Sequence, residues 1–149
     1  MIRIEVKDDE VTAALAALSA RLANMTPVMQ EVGEFLVAST KDRFGRSEAP
    51  DGSKWAPKSP VTEGRDRRPL FGPSGKLSQQ IFAVPGPTSV EVGSNRIQAA
   101  MMQFGGTRAA YAHLWGDIPA RPFLGVSETD RAGILAIVGG WLEGAAAGN

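Results

Sequence analysis

The sequence predicts an α+β fold: a helical hairpin and a C-terminal helix packed on a small antiparallel or mixed sheet. Three observations predict it. Apolar residues recur at period two near the start of the chain, at period 3.6 over most of the first 44 residues, and at period two again around Val90 and Val92. A proline- and glycine-rich stretch separates the helical first part from the second alternating block. The last apolar seam, near the C-terminus, is helical again.

Ile2, Ile4 and Val6 alternate with Arg3, Glu5 and Lys7, the pattern of a half-buried strand. Asp8-Asp9-Glu10 supplies a helix cap and first-turn acids suited to the positive end of the helix dipole. Val11, Leu15, Leu18, Leu22 and Met25 then form a narrow seam on one helix face, read as core or as a partner-binding face. Asn24 ends this helix. Thr26 is the expected N-cap of the next, with Pro27 at its first helical position. Val28, Val32, Phe35 and Leu36 carry its apolar face toward Phe44, and the short joint predicts that the two helices pair antiparallel.

Residues 46–76 break every period and predict a long irregular loop, disordered or extended in the isolated subunit. The chain is read as one domain over residues 1–149 carrying this loop. Beyond it, Leu77 to Gln80 can begin helically before an extended run through Val84. Pro85-Gly86-Pro87 turns the chain, and Ser89 to Gly93 alternates as a hairpin partner. Gln98 to Phe104 is a short helix closed by Gly105-Gly106. Pro119 to Gly125 is extended, because each proline biases its predecessor away from helix. Ser127 caps the last helix, whose apolar face is Ile134, Ile137, Val138, Trp141 and Leu142.

Composition narrows function. There is no cysteine, which excludes disulfides, thiol catalysis and cysteine-ligated metals. The single histidine, His113, has no nucleophile elbow nearby, and the scattered carboxylates have no metal-ligand spacing. Gly72-Pro73-Ser74-Gly75-Lys76-Leu77 resembles the end of a phosphate loop, but Leu70 stands where its first glycine belongs and Leu77 where Ser or Thr would hold magnesium. The chain therefore reads as no enzyme, with no catalytic residue, cofactor or metal site. No apolar run is long enough for a signal peptide or a membrane span, so no membrane partner is expected.

Sixteen basic residues balance sixteen acidic ones, for a formal net charge of zero. The balance hides an asymmetry: from Lys41 to Lys76 nine basic residues face five acidic ones, a net +4 on a body of net −4. Arg65, Arg67 and Arg68, with Lys54 and Lys58, can contact phosphates or the acidic body of a neighbouring subunit. Trp55 is either an anchor onto the core or an interface hot spot. Arg121 and Phe123, two apart in an extended segment, point to the same side. Arg121 either caps local carbonyls or pairs with a carboxylate or helix end to fix the segment for assembly. These six residues (Trp55, Arg65, Arg67, Arg68, Arg121 and Phe123) are the candidate interface.

Several signals fall in a fixed order: Phe44; Pro50-Asp51-Gly52-Ser53-Lys54-Trp55; Gly75-Lys76-Leu77-Ser78; Val90-Glu91-Val92-Gly93-Ser94; Gln103-Phe104-Gly105-Gly106; and Ile118-Pro119-Ala120-Arg121-Pro122-Phe123-Leu124-Gly125. This set resembles the phage virion morphogenesis family, the tail-completion proteins of Mu-like and related contractile-tailed phages and prophages, over about residues 1–143. Where that family often carries Tyr-Ala and a His, this chain has Gln98 and Met102.

The resemblance implies a structural role at the head–tail junction of the virion, for a protein made in the host bacterial cytoplasm. It implies a ring subunit, commonly sixfold. Its partners would be further copies of itself, the head–tail connector and tail proteins, and DNA passing through the channel. The alternative is a nucleic-acid-binding accessory protein using the basic arm 41–76.

Overall fold

The computed structural model describes residues 2–4, 9–60, 68–70, 75–114 and 116–147. The elements run α1 (Asp9–Ala23), α2 (Thr26–Arg46), α3 (Lys76–Gln79), β1 (Phe82–Pro85), β2 (Val90–Gly93), α4 (Ala99–Phe104) and α5 (Glu128–Ala146). Five helices and one two-stranded antiparallel sheet make this an α+β fold among the described residues.

The long helix α2 organises the molecule. It packs against both strands and against α5. Its buried residues, Val28, Val32, Gly33, Thr40, Arg43 and Phe44, recur at helical spacing and form one stripe. Gly33 lets the hairpin come close, since a Cβ there would stand 2.7 Å from the Ala83 Cβ and 2.9 Å from a Val90 methyl. The strands pair Phe82 with Gly93, Ala83 with Val92, Val84 with Glu91 and Pro85 with Val90. The hairpin tip is tied to the start of α2, where the Met25 N–H donates to the Pro87 carbonyl at 3.0 Å. The core lies between the C-terminal end of α2, the loop that follows it, α3, α4 and the 119–125 segment, and is built from Phe44, Ala49, Trp55, Leu70, Leu77, Ile81, Ala99 and Phe123.

Four expectations need correction. Ile2, Arg3 and Ile4 lie outside any strand, with Ile2 92% and Ile4 84% exposed, while residues 5–8 lie outside the described residues. Alternation makes a segment competent to pair, but a strand needs a partner. Second, α1 packs on α5 rather than along α2, so the two helices share a support instead of forming a packed hairpin. Third, Thr26 begins α2 inside the helix, with Met25 as its N-cap. Asn24 Oδ1 accepts from both the Thr26 N–H (3.1 Å) and the Thr26 hydroxyl (2.5 Å), so Asn24 rather than Thr26 supplies the side-chain acceptor at the start of α2.

The fourth correction concerns the loop after α2. Residues 47–59 are irregular, as expected, but they are folded onto the core. Ser47 closes α2 in a left-handed conformation (φ 56°) and its carbonyl accepts from the Trp55 N–H at 2.9 Å. The Ala49 N–H reaches the Ser53 carbonyl at 2.8 Å. Burial of Ala49 and Trp55, with the backbone bonds across the loop, contributes to ordering it. Residues 61–67 and 71–74 of the expected arm lie outside the described residues.

Candidate assembly site

The 119–125 segment crosses the end of α2 and is held from three sides. From α2, Arg43 Nη1 donates to the carbonyls of Phe123 (3.0 Å) and Gly125 (3.1 Å). From α4, Gln103 Oε1 accepts from the N–H groups of Phe123 and Leu124, both at 3.0 Å, and its Nε2 donates to the Leu124 carbonyl at 3.1 Å. From the loop after α2, Trp55 Nε1 donates to the Pro122 carbonyl at 2.8 Å. An extended segment without a sheet partner has orphan backbone groups, and these side chains satisfy them.

The aromatic centre of this arrangement is Phe44. Trp55 meets it edge to face, with centroids 5.6 Å apart at 78°, and Phe123 meets it at 5.4 Å and 56°. Both are favoured arrangements for ring quadrupoles. Arg121 extends the same lock outward: its Nε donates to the Ala56 carbonyl and its Nη2 to the Pro57 carbonyl, each at 2.7 Å.

Arg43 also contacts Asp130, in an ion pair buried between α2 and the start of α5. Asp130 is the third helical residue of α5 and completes a capping box with Ser127. Burial pushes its carboxyl upward; hydrogen bonds from Ser39 and Ser127 and the Arg43 charge outweigh that and hold it below the usual carboxylate range. Burial lowers Arg43, and the Asp130 charge pulls it back up. Burial alone lowers Arg121.

Of the six predicted interface residues, the structure brings three together: Trp55, Arg121 and Phe123 are buried around one segment inside the subunit. Arg121 caps carbonyls rather than a carboxylate. Arg68 is exposed, and Arg65 and Arg67 lie outside the described residues. Elsewhere in the arm, Arg46 pairs with Asp42 at 3.0 Å and Lys54 with Glu48 at 2.7 Å. His113 is exposed beside Tyr111 in the loop after α4. Met102, at a departure from the resembled pattern, packs on the core. Among the described residues no cluster of His, Asp and Glu could hold a metal, and no helix is long and apolar enough to cross a membrane.

Sequence reading missed Arg43, Asp130 and Gln103. A signal existed for the first: Arg43 falls on the same helical stripe as Val28, Val32 and Thr40, which predicts burial. It also did not decide the fate of the α1 seam. No residue of α1 is buried, and Val11, Leu15 and Leu22 are exposed, Leu15 at 61%.

Phe44, Trp55, Gln103 and the 119–125 segment, from four of the ordered motifs, thus converge on one structural lock. The phage virion morphogenesis family matches residues 6–143, and that match takes in every motif of the lock. The chain belongs to the phage virion morphogenesis family. It is a structural protein of phage virion assembly. It is similar to "Mu-like prophage FluMu G protein 2" of Haemophilus influenzae, 29% identical over 136 residues that cover 91% of each chain. No solved structure matches it.

Proposed function

We propose that this protein completes the phage tail at the head–tail junction, acting as a subunit of a ring that makes the tail competent to join the DNA-filled head. Family membership supplies the assembly role. The observation that carries the finer reading is the α1 seam: a helix with an apolar stripe and no buried residue offers a face that a second molecule can cover. Leu135 of α5, the helix on which α1 packs, adds further exposed apolar surface. Arg43, Arg46 and Lys54 of the arm pair with carboxylates of their own subunit, which leaves less uncompensated positive charge for phosphate contact.

The test is genetic and structural together. Deleting the gene from an inducible phage is expected to leave filled heads and full-length tails that do not join, visible by negative-stain microscopy and restored by the gene in trans. Normal virions from the deletion strain overturn the reading. Salt-dependent binding of duplex DNA by the purified protein would favour the accessory-protein alternative.

A further inference from the structure

We propose that two copies of this chain join edge to edge through β1, so that their hairpins form one four-stranded antiparallel sheet about a two-fold axis at Phe82. The inference goes beyond the junction role: it names a contact between two subunits and the strand register that makes it.

The hairpin's own hydrogen bonds define the edge. The Gly86 N–H donates to the Ser89 carbonyl at 2.7 Å, so these two are a bonded pair. Bonded and non-bonded pairs alternate along an antiparallel ladder. Counting back through the register, Val84 and Phe82 bond β2, while Ala83 turns its N–H and carbonyl to the other side. Among the described residues the sheet has two strands, so that side of β1 carries no strand. Beside it runs a groove of about 600 Å³, lined by Val37 and Ala38 of α2 and by Phe82 and Ala83. Ala83 faces α2 at Gly33, so Phe82 and Val84 lie on the opposite face of the sheet, where both are exposed, Val84 at 54%. An apolar edge with free backbone groups is a template for another strand.

Side chains, register and charge all select a second β1 as the occupant. A two-fold axis perpendicular to the sheet keeps each face on its own side. Phe82 then meets Phe82 of the other copy on the outer face, while Ile81 and Ala83 stay on the side of α2. With the axis at Phe82, Ala83 of each copy exchanges both backbone bonds with Ile81 of the other. Pro85, which has no N–H, falls outside this ladder. A register centred on Ala83 would set the Ile81 carbonyl against Pro85, with no donor to meet it. The same axis runs α2 antiparallel to its copy. Glu34 and Lys41 are exposed on the groove side of α2, about two turns apart, with Val37 and Ala38 midway between them. An axis at the level of Val37 and Ala38 sets each Glu34 beside Lys41 of the other copy. The spacing agrees as well. Gly33 lies against both strands, so α2 sits beneath its hairpin. Two copies of α2 are then two strand spacings apart, about 10 Å, a distance at which helices pack. α5 holds the opposite flank of α2, through Ser39 and Arg43. The contact closes at two copies and leaves the α1 seam for one that repeats.

The natural chain has no cysteine, so in Phe82→Cys every disulfide formed on oxidation joins two chains. Directly opposed, non-bonded residues stand about 4.5 Å apart at Cα, within the range of a disulfide. Val84→Cys is the control. Its two copies lie four positions apart along the strands, about 13 Å, which no disulfide spans. A second measurement keeps Phe82 and compares Glu34→Lys, Lys41→Glu and the double exchange by light scattering.

The expected result is a covalent dimer on a denaturing gel for Phe82→Cys, and roughly a tenth as much for Val84→Cys. Each single charge exchange is expected to weaken the dimer roughly tenfold, because the two-fold axis counts every change twice, and the double exchange to restore it. No link through Phe82→Cys overturns the pairing, whatever the association state of the natural protein. Equal linking through Val84→Cys overturns the register. Single exchanges that leave association unchanged, or a double exchange that restores nothing, overturn the placing of α2 beside its copy. None of these failures touches the junction role, which the phenotype of the deletion strain tests separately.

Discussion

Arg43 of α2 and Asp130 of α5 form an ion pair with both side chains almost fully buried, and the same guanidinium holds the carbonyls of Phe123 and Gly125. One residue therefore joins the central helix, the C-terminal helix and the 119–125 segment. Truncating one partner of a buried pair leaves the other charge uncompensated, at a cost of about 3–5 kcal/mol. Asp130→Ala is expected to lose that much in urea unfolding, including the capping box. The double variant Arg43→Met/Asp130→Leu is expected to lose less than Asp130→Ala, because no unpaired charge remains. Equal or greater loss in the double variant would show that the Arg43–carbonyl bonds outweigh the ion pair.

The same pair sets an acid limit. The Asp130 carboxyl is held below its unfolded value, so its contribution is present above the unfolded pKa of about 3.9 and is lost as pH falls through the folded value. Stability of the natural protein is expected to drop steeply below about pH 4. Asp130→Asn is expected to start lower and to show a shallower slope in that range. Parallel pH profiles for the two proteins would contradict this.

Trp55 holds the loop after α2 by burial, ring contact and one hydrogen bond. Trp55→Phe keeps much of the ring and abandons the Pro122 carbonyl, at a cost of about 1–3 kcal/mol. Trp55→Ala adds a cavity and is expected to cost about 3–5 kcal/mol. Limited proteolysis is expected to cut within residues 47–59 in the alanine variant well before the natural protein. Protection that is unchanged would show that the loop is held by something else.

The helices and the hairpin were legible in the sequence because each depends on local pattern: the α2 stripe, the Pro85-Gly86-Pro87 turn, the Ser127 cap. Partnerships were not. Nothing local says that α1 leans on α5 rather than α2, since an apolar seam does not name what it packs on. Gln103, Arg43 and Asp130 act across separations of 20 to 87 residues in the chain, beyond any period. Trp55 was visible as an anchor or a hot spot, and its buried indole beside Phe44 makes it an anchor within the subunit. The loop looked unable to order itself because composition counts residues and does not show the long-range contacts of Trp55 with Pro122 and of Arg121 with Ala56 and Pro57.

Gly33 is legible only in hindsight. A glycine inside a helix is costly by about 1 kcal/mol relative to alanine, so its retention calls for a reason. Here a Cβ would overlap Ala83 and Val90 of the hairpin. Gly33→Ala is expected to destabilise by about 1–3 kcal/mol through overpacking, despite the better helix propensity. Pairing it with Ala83→Gly is expected to recover part of the loss, measured by thermal unfolding. A stabilised single variant would mean that the hairpin shifts freely on α2.

Arg121 uses two nitrogens of its planar fork, Nε on Ala56 and Nη2 on Pro57. Lysine has a single nitrogen at the end of a flexible stem, and cannot reproduce two divergent, simultaneous bonds of that geometry. Arg121→Lys keeps the charge, so any change reports geometry. One carbonyl is left without its partner, at a cost of about 1–3 kcal/mol. The melting temperature is expected to fall, and the loop around Ala56 and Pro57 to exchange its amide protons faster. If assembly in phage complementation falls only in proportion to that stability, Arg121 acts through the fold. If Arg121→Lys melts like the natural protein yet fails to complement, the two carbonyl bonds are dispensable to the subunit, and the fork is needed by another molecule.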